Sequence, residues 1–192
     1  MQRPMSGNPR FQALVSITLA AAVMRLLPHP YNFTPIAGMA LFGGAHFRDR
    51  RAAFAIPLIA MFASDLVLAA TVYGFSALES MPIVYLAFGL TVLLGRLLGP
   101  RSSALRVGSA SVGAAVLFYL ITNFGVWTRG VLYPLTWEGL VACYASAIPF
   151  LRNAILGNVF YAIVFFGGFA LAQRRFAGLR EDPDLTTEQA VS

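Results

Sequence analysis

Long apolar runs with few charged residues are the feature that most constrains how this chain folds. A helix that crosses the hydrocarbon core of a bilayer needs about 20 mainly apolar residues, and several stretches of this sequence have that length and character. Only 11% of the 192 residues are charged, whereas soluble domains carry about 25%. The sequence therefore predicts an integral membrane protein. This apolar composition with few charges excludes three classes of protein: disordered chains, disulfide-rich secreted modules and soluble nucleic-acid binders.

Six segments are predicted to cross the membrane. They cover residues 11–27, 35–47, 52–73, 82–99, 108–127 and 153–173, and the second is the shortest. Residues 139–150 are too short to cross alone, so they predict an interfacial or re-entrant helix stopped by Pro149. The expected fold is an all-α bundle of six transmembrane helices with this short helix before the last span. We expect residues 1–175 to form one transmembrane domain and the polar residues 176–192 to form a disordered cytoplasmic tail.

The arginines predict the orientation, because short cytoplasmic loops collect basic residues. If both termini are cytoplasmic, Arg25, Arg129 and Arg152 lie outside and all the other arginines lie inside. The excess of eleven inside arginines over three outside ones favours an even number of crossings. An alternative remains for the first segment, since an apolar run with alanines at 20–22 also resembles a secretory signal peptide. Removal of that segment would leave five spans and spoil the alternation of basic loops.

Polar side chains inside membrane spans are costly and usually face the bundle interior, where they mark a site or pathway. In this chain they lie near the outer ends of the spans, and they are Arg25, Asp65, Asn123, Arg152, Asn153 and Asn158. The inner halves contain mainly small and aliphatic residues. The pattern predicts a cup that opens to the outside above a closed apolar floor.

The loop after the first span is predicted to cover this cup. Its sequence PHPYNFTP, residues 28–35, combines prolines, aromatic rings and polar groups, which suits a lid over a ligand. Further aromatic residues lie at the same side: Trp127 ends the fifth span, and Tyr133 and Trp137 follow it. Tryptophan and tyrosine also anchor spans at the lipid headgroups, so these rings have two interpretations.

Each polar residue also has a structural interpretation. Asp65 is a ligand for substrate or proton, a neutral carboxyl, or the ion-pair partner of Arg25 or Arg152. The asparagines either contact a ligand or bridge neighbouring helices. Cys143 is interpreted as a small apolar filler, and the two histidines lie on opposite sides of the membrane, so no metal site is expected. Catalytic motifs are absent from the sequence, so neither an enzyme nor a cofactor is expected.

Small residues four positions apart recur on the first span, and such rows let helices approach closely in lipid. Ser16 with Ala20, and Thr18 with Ala22, form two such pairs. These pairs have two interpretations: they pack α-helices within this chain, or they dock a second membrane subunit. The candidate residues for docking are Ser16, Ala20 and Ala22.

Several motifs resemble a known family. LPHPYNFTPIAGMALFGGAHF, the run around Asp65, TNFGVW and YPLTWEGLVACYASAIPFLRNAILGNVFY are similar to DUF6580, a family of bacterial membrane proteins of unknown function described as putative transport proteins. The resemblance covers about residues 20–172. That family in turn resembles, in architecture, the substrate-binding S components of energy-coupling factor transporters for vitamins and other micronutrients.

The second resemblance implies six helices in the bacterial cytoplasmic membrane and a ligand cavity near the outer face, under the loop that joins the first two helices. It also implies a partner transmembrane subunit driven by ATPases, which S components contact through small residues of the first helix. We therefore expect uptake of a small metabolite from outside. The predicted lining residues are Asn32, Phe33, Asp65, Asn123, Trp127, Tyr144, Arg152, Asn153 and Asn158. The alternatives are a solitary proton-coupled transporter, with Asp65 carrying the proton, and a scaffold protein that transports nothing.

Overall fold

The computed structural model describes residues 8–180, and these residues form helices with no β-strand among them. The helices are α1 Pro9–Met24, α2 Ile36–His46, α3 Arg50–Leu68, α4 Met81–Leu98, α5 Ala104–Thr128, α6 Trp137–Ser146, α7 Ile148–Ala162 and α8 Gly168–Arg175. The prediction of an all-helical, apolar chain is confirmed.

Short π-helical and 3-10 segments extend several of these helices. A π segment, Ala69–Tyr73, prolongs α3, and a 3-10 segment, Phe75–Ser80, leads into α4. A second π segment, Ile163–Gly167, joins α7 to α8, so that Ile148–Arg175 is one continuous helix.

Four helical stretches are long and apolar enough to cross a membrane. They are Arg50–Tyr73, Phe75–Leu98, Ala104–Thr128 and Ile148–Arg175. They correspond to the third, fourth, fifth and sixth predicted spans. The remaining two, α1 and α2, are apolar but shorter. At 1.5 Å per residue α1 is about 24 Å long and α2 is about 17 Å long, so the number of six crossings stays a prediction.

Helix α2 is the centre of the bundle. Every residue from Ala37 to His46 is buried, and α2 contacts α1, α3, α4, α5 and α7. Its backbone touches that of α4, because a Cβ on Gly44 would overlap the carbonyl oxygen of Val92 and one on Gly95 would overlap that of Leu41. A helix that is apolar on every side is buried on every side, and here protein rather than lipid covers it.

The prediction that Pro149 stops the short helix is wrong. Helix α6 already ends at Ser146, and Pro149 lies in the first turn of α7. Proline suits that position because the first turn of a helix has no partner for the missing N–H. The side-chain oxygen of Thr136 accepts from the backbone N–H of Gly139 at 3.2 Å and caps the start of α6.

The first residues of the predicted tail are part of the fold. A 3-10 turn, Ala177–Leu179, packs against the start of α1. The carbonyl oxygen of Leu179 accepts from Nη1 of Arg10 at 3.2 Å and from Nε2 of Gln173 at 3.1 Å. The rest of the predicted tail, residues 181–192, lies outside the described residues.

Candidate functional site

The segment that connects α1 to α2, residues 25–35, is anchored in the bundle at its two ends, whereas residues 26–28 and 30–32 between them are exposed. We call the end of the bundle at which α3 ends and α4 begins the outer end. Arg25 contacts Asp65, which lies eight residues before Tyr73, or about 12 Å along the helix. Phe33 contacts Gly157, which lies nine residues after Ile148, or about 13 Å along α7. The two ends of this α1–α2 segment therefore reach into the outer half of the bundle.

Helix α7 holds the α1–α2 segment in place. The side-chain Nδ2 of Asn153 donates to the carbonyl oxygen of Tyr31 at 3.0 Å. The ring of Phe33 lies 5.6 Å from that of Phe160 and 5.8 Å from that of Tyr161. Close approach is possible because Gly157 has no side chain, since a Cβ there would lie 3.0 Å from the Cα of Phe33.

The tip of the α1–α2 segment adopts an uncommon backbone conformation. Asn32 has a φ of 60°, the one positive value at a residue other than glycine in residues 8–180. Asparagine tolerates this left-handed region better than most residues. Asn32 is exposed, and it separates Tyr31 from Phe33, the two aromatic residues that contact α7.

A cluster of polar side chains lies at the start of the α1–α2 segment, around Arg25. Nη1 of Arg25 forms an ion pair with Oδ1 of Asp65 and donates to Oγ of Ser64 at 2.8 Å. The hydroxyl of Tyr85 donates to Oδ2 of Asp65 at 2.6 Å. The side chain of Asp65 is 0% exposed and that of Arg25 is 13% exposed. These four residues, which we call the Arg25 cluster, join α1, α3 and α4.

Of the alternatives for Asp65, the structure places it in an ion pair with Arg25. Arg152, the other predicted partner, is exposed near the start of α7. Sequence reasoning missed Tyr85 and Ser64. The depth criterion that selected the other polar residues applies equally to Tyr85, which lies four residues after the start of α4.

The predicted lining residues on α5 and α6 form contacts of their own. Nδ2 of Asn123 donates to the carbonyl oxygen of Tyr119 at 2.8 Å, and the hydroxyl of Tyr144 donates to that of Leu120 at 2.6 Å. Nε1 of Trp127 donates to the carbonyl oxygen of Pro134 at 3.0 Å. The bonds of Tyr144 and Trp127 attach α6 and its preceding loop to α5, as expected for polar groups that join segments in lipid, whereas the bond of Asn123 lies within α5.

Asn158 bridges two helices. It is buried on α7, and its Nδ2 donates to the carbonyl oxygen of Ser111 on α5 at 3.3 Å. The structure thus brings Asn32, Phe33 and Asn153 together at the α1–α2 segment. Asp65 lies at the start of that segment, in the Arg25 cluster, whereas Asn158 holds α7 to α5.

The predicted docking residues of α1 divide between two faces. Ser16 and Ala20 are exposed, beside Leu19 at 51% and Val23 at 61%. Ala22 is buried in the core, so this residue cannot dock a partner on the exposed face. The helical period of 3.6 residues places it on the opposite side of α1. Within residues 8–180 no group of three or more histidine, cysteine, aspartate or glutamate side chains is placed to hold a metal ion.

The chain belongs to the family of unknown function DUF6580, whose model matches residues 5–183. The family assignment predicted from the motifs is confirmed, and the match is longer than the motifs indicated. No curated protein and no solved structure matches the chain. The resemblance to S components stays a prediction.

Proposed function

We propose that this chain is a multi-pass protein of the bacterial cytoplasmic membrane that captures a small polar metabolite from outside, as S components do. Six helices cross, α1 and α2 included, and both termini are cytoplasmic. The observation that carries the proposal is the anchoring of both ends of the α1–α2 segment in the outer half of the bundle, next to the buried Arg25 cluster.

The irregular backbone of the α1–α2 segment is the first support. Within a membrane, non-helical backbone is tolerated only where protein covers it or where it lines a water-filled cavity. In many transporters the solute binds near the midplane, where helices are interrupted. Here α1 ends at Met24 and α2 begins at Ile36. The segment between them is the irregular backbone beside which a captured solute would bind.

The Arg25 cluster is the second support. A buried carboxylate and guanidinium are costly to take out of water and are weak evidence for stability alone, so a functional role is a reasonable explanation for them. The guanidinium has five N–H donors in a planar fork and suits carboxylate or phosphate groups. A solute with an acidic group would bind the guanidinium of Arg25, which Asp65 holds in position, while the amide of Asn153 and the ring of Phe33 would orient the rest of it.

In the proposed mechanism the described conformation is the closed one. The α1–α2 segment lifts from α7 when the bond from Asn153 to Tyr31 breaks, and the solute enters between Arg25 and α7. Closure then excludes water and strengthens the polar contacts. The sequence carries no nucleotide-binding motif, so release to the cytoplasm would use an ATP-driven partner, for which the exposed Ser16 and Ala20 of α1 offer a docking face.

Mass spectrometry of the small molecules that co-purify with the detergent-extracted protein tests this proposal. We expect one solute with the wild type and with the surface control Glu79→Gln, and its loss with Asp65→Asn and Asn153→Ala. Circular dichroism establishes that each variant is folded. Equal solute content in folded Asp65→Asn and the wild type, or no solute in any sample, would contradict the proposal.

A second candidate function is proton-coupled transport by this chain alone. The full burial of the Asp65 carboxylate and its bond to Tyr85 favour it, because buried carboxylates in spans often carry protons. It predicts uptake driven by a pH gradient in vesicles without any ATPase, and loss of that coupling in Asp65→Asn. A scaffold role predicts no saturable solute, and defects from Ala20→Leu rather than from Asp65→Asn.

A further inference from the structure

The guanidinium group of Arg25 keeps one edge without a partner. All of its contacts use Nη1, which forms the ion pair with Asp65 and donates to Oγ of Ser64 at 2.8 Å and to the carbonyl oxygen of Met61 at 3.5 Å. Nε and Nη2 carry three further N–H donors, and these donate to none of the residues from 8 to 180. An arginine edge of this kind binds a carboxylate through two parallel hydrogen bonds. The hydrogen bonding of Arg25 therefore leaves a place for one carboxylate.

The carboxylate of Asp65 also has an open hydrogen-bonding position. Its Oδ1 is buried and accepts no hydrogen bond within the part of the chain that the structure describes. The hydroxyl of Tyr85 donates to Oδ2 instead, and Arg25 provides Oδ1 with an opposite charge but not with an aligned N–H. Buried polar atoms without a hydrogen bond are rare in native proteins, and each one needs an explanation. A solute that donates an N–H to Oδ1 would supply the missing bond.

The charge balance of the Arg25 cluster favours a solute that carries both signs of charge. Arg25 and Asp65 have opposite charges, and Ser64 and Tyr85 are neutral, so the cluster has no net charge. A simple anion that binds Arg25 would bring an uncompensated negative charge into a buried site, which is costly. A solute that also carries an ammonium group brings its own counter-charge. An ammonium group has three N–H donors and no acceptor, so it suits Oδ1 of Asp65.

We infer that the captured solute is a zwitterion with a carboxylate and an ammonium group on neighbouring atoms, as in a free amino acid. Its carboxylate binds Nε and Nη2 of Arg25, and its ammonium group donates to Oδ1 of Asp65. Since Arg25 and Asp65 are in contact, their open positions are close together, and a solute with two adjacent charges fits them best. This assignment rests on the proposed capture of a solute and names the chemical class of that solute.

Arg25 is the group that the solute reaches first. Its side chain is 13% exposed, whereas that of Asp65 is 0% exposed. Arg25 directly follows α1, at the start of the α1–α2 segment that moves in the proposed mechanism. Because Nη1 of Arg25 is in contact with Oδ1 of Asp65, the same movement brings Oδ1 within reach of the ammonium group.

Chemical modification of the solute tests this assignment without a change to the protein. The small molecules that co-purify with the detergent-extracted full-length protein are released as a pool. Acetic anhydride removes the ammonium charge from one part of the pool, and acidic methanol removes the carboxylate charge from another by esterification. Each part is returned to the stripped protein, and mass spectrometry measures what dialysis leaves bound. We expect each treatment to lower retention at least about tenfold, because each removes a hydrogen bond between charged groups.

The charge of Asp65 should determine the preference for the ammonium group. Asp65→Asn keeps the size of the side chain but removes its charge, so we expect low and equal retention of the untreated and the acetylated pools. A purely structural role of Asp65 would lower both values and preserve their ratio. The surface control Glu79→Gln, at a side chain that is 68% exposed, should behave as the wild type does.

Several results would overturn this assignment. If retention falls after esterification but not after acetylation, the solute is a simple acid; the zwitterion is then wrong, while capture by this chain stands. A fall after acetylation alone, or after neither treatment, also excludes the zwitterion. A tenfold preference for the untreated pool that persists in folded Asp65→Asn would mean that the ammonium group binds elsewhere. If the wild type releases no solute, the proposed capture function is wrong, and the zwitterion with it.

Discussion

Two ion pairs in the outer part of this molecule use the same chemistry in opposite surroundings. Arg25 and Asp65 lie inside the bundle, with 13% and 0% of their side chains exposed. Arg129, after α5, and Glu79, before α4, are 3.1 Å apart at the surface, with 50% and 68% exposed. Water screens the second pair and stabilises its charges separately, whereas the first pair has only its protein neighbours. Burial, rather than pairing itself, therefore determines the desolvation free energy of each charge.

The largest expected effect comes from removal of one charge of the buried pair. Asp65→Leu leaves Arg25 buried without a counter-charge, so we expect the free energy of unfolding to fall by about 3–5 kcal/mol. Chemical unfolding in detergent, followed by circular dichroism, measures it. The double variant Arg25→Met with Asp65→Leu removes both charges and should be more stable than Asp65→Leu alone. If the single variant costs no more than Glu79→Gln, the two pairs do not differ as the structure indicates.

Removal of the hydroxyl that supports the buried pair should have a smaller effect. Tyr85→Phe deletes the donor to Oδ2 of Asp65 but keeps the ring. A hydrogen bond to a charged group contributes about 1.5–3 kcal/mol, and we expect a loss of that size in the same unfolding experiment. Tyr133→Phe, which removes the same hydroxyl group from a tyrosine in the loop after α5, is the control. An equal effect of both changes would mean that the hydroxyl of Tyr85 does not stabilise Asp65.

The contact between α7 and the α1–α2 segment should contribute less again. Asn153→Ala removes the donor to the carbonyl oxygen of Tyr31, so we expect a loss of about 1 kcal/mol. The local effect should be larger than the global one, with faster hydrogen exchange confined to residues 25–35. Unchanged exchange in that segment, or faster exchange throughout α7, would show that Asn153 does not hold the segment.

The exposed pair should give the smallest effect. Glu79→Gln is expected to lower the free energy of unfolding by less than about 1 kcal/mol. Because salt screens exposed charges, the difference from the wild type should disappear at about 1 M salt, whereas the effect of Asp65→Leu should persist. Measurement of both variants at low and high salt therefore separates the two pairs. A salt-independent loss in Glu79→Gln would contradict the exposed geometry.

Much of the fold could be predicted because apolar runs of sufficient length have few alternatives. The long helices α3, α4, α5 and α7–α8 lie where the sequence predicts spans. Helix α2 shows the limit of that reasoning. Its residues are as apolar as a membrane span, but composition does not reveal whether lipid or protein covers them. Pro149 shows another limit, because proline both follows and begins helices.

The site could be predicted in part. Depth along the spans selected Asp65 and Asn158, which are both buried, and Arg25 was one of the two predicted partners of Asp65. Depth does not specify the neighbour, which depends on how the helices rotate about their axes. The bonds of Asn123 and Tyr144 to α5 carbonyls were therefore not foreseen, since an amide or hydroxyl in a span suits a backbone oxygen as well as a ligand.

The contact between Gly44 on α2 and Gly95 on α4 has a consequence for how this molecule moves. Two backbones that touch directly have no side chains between them that could rearrange, so we expect α2 and α4 to move together. Any opening of the outer half must then pivot elsewhere. The available joint is the stretch between α1 and α2, where the backbone is not a continuous helix and Asn32 has a positive φ.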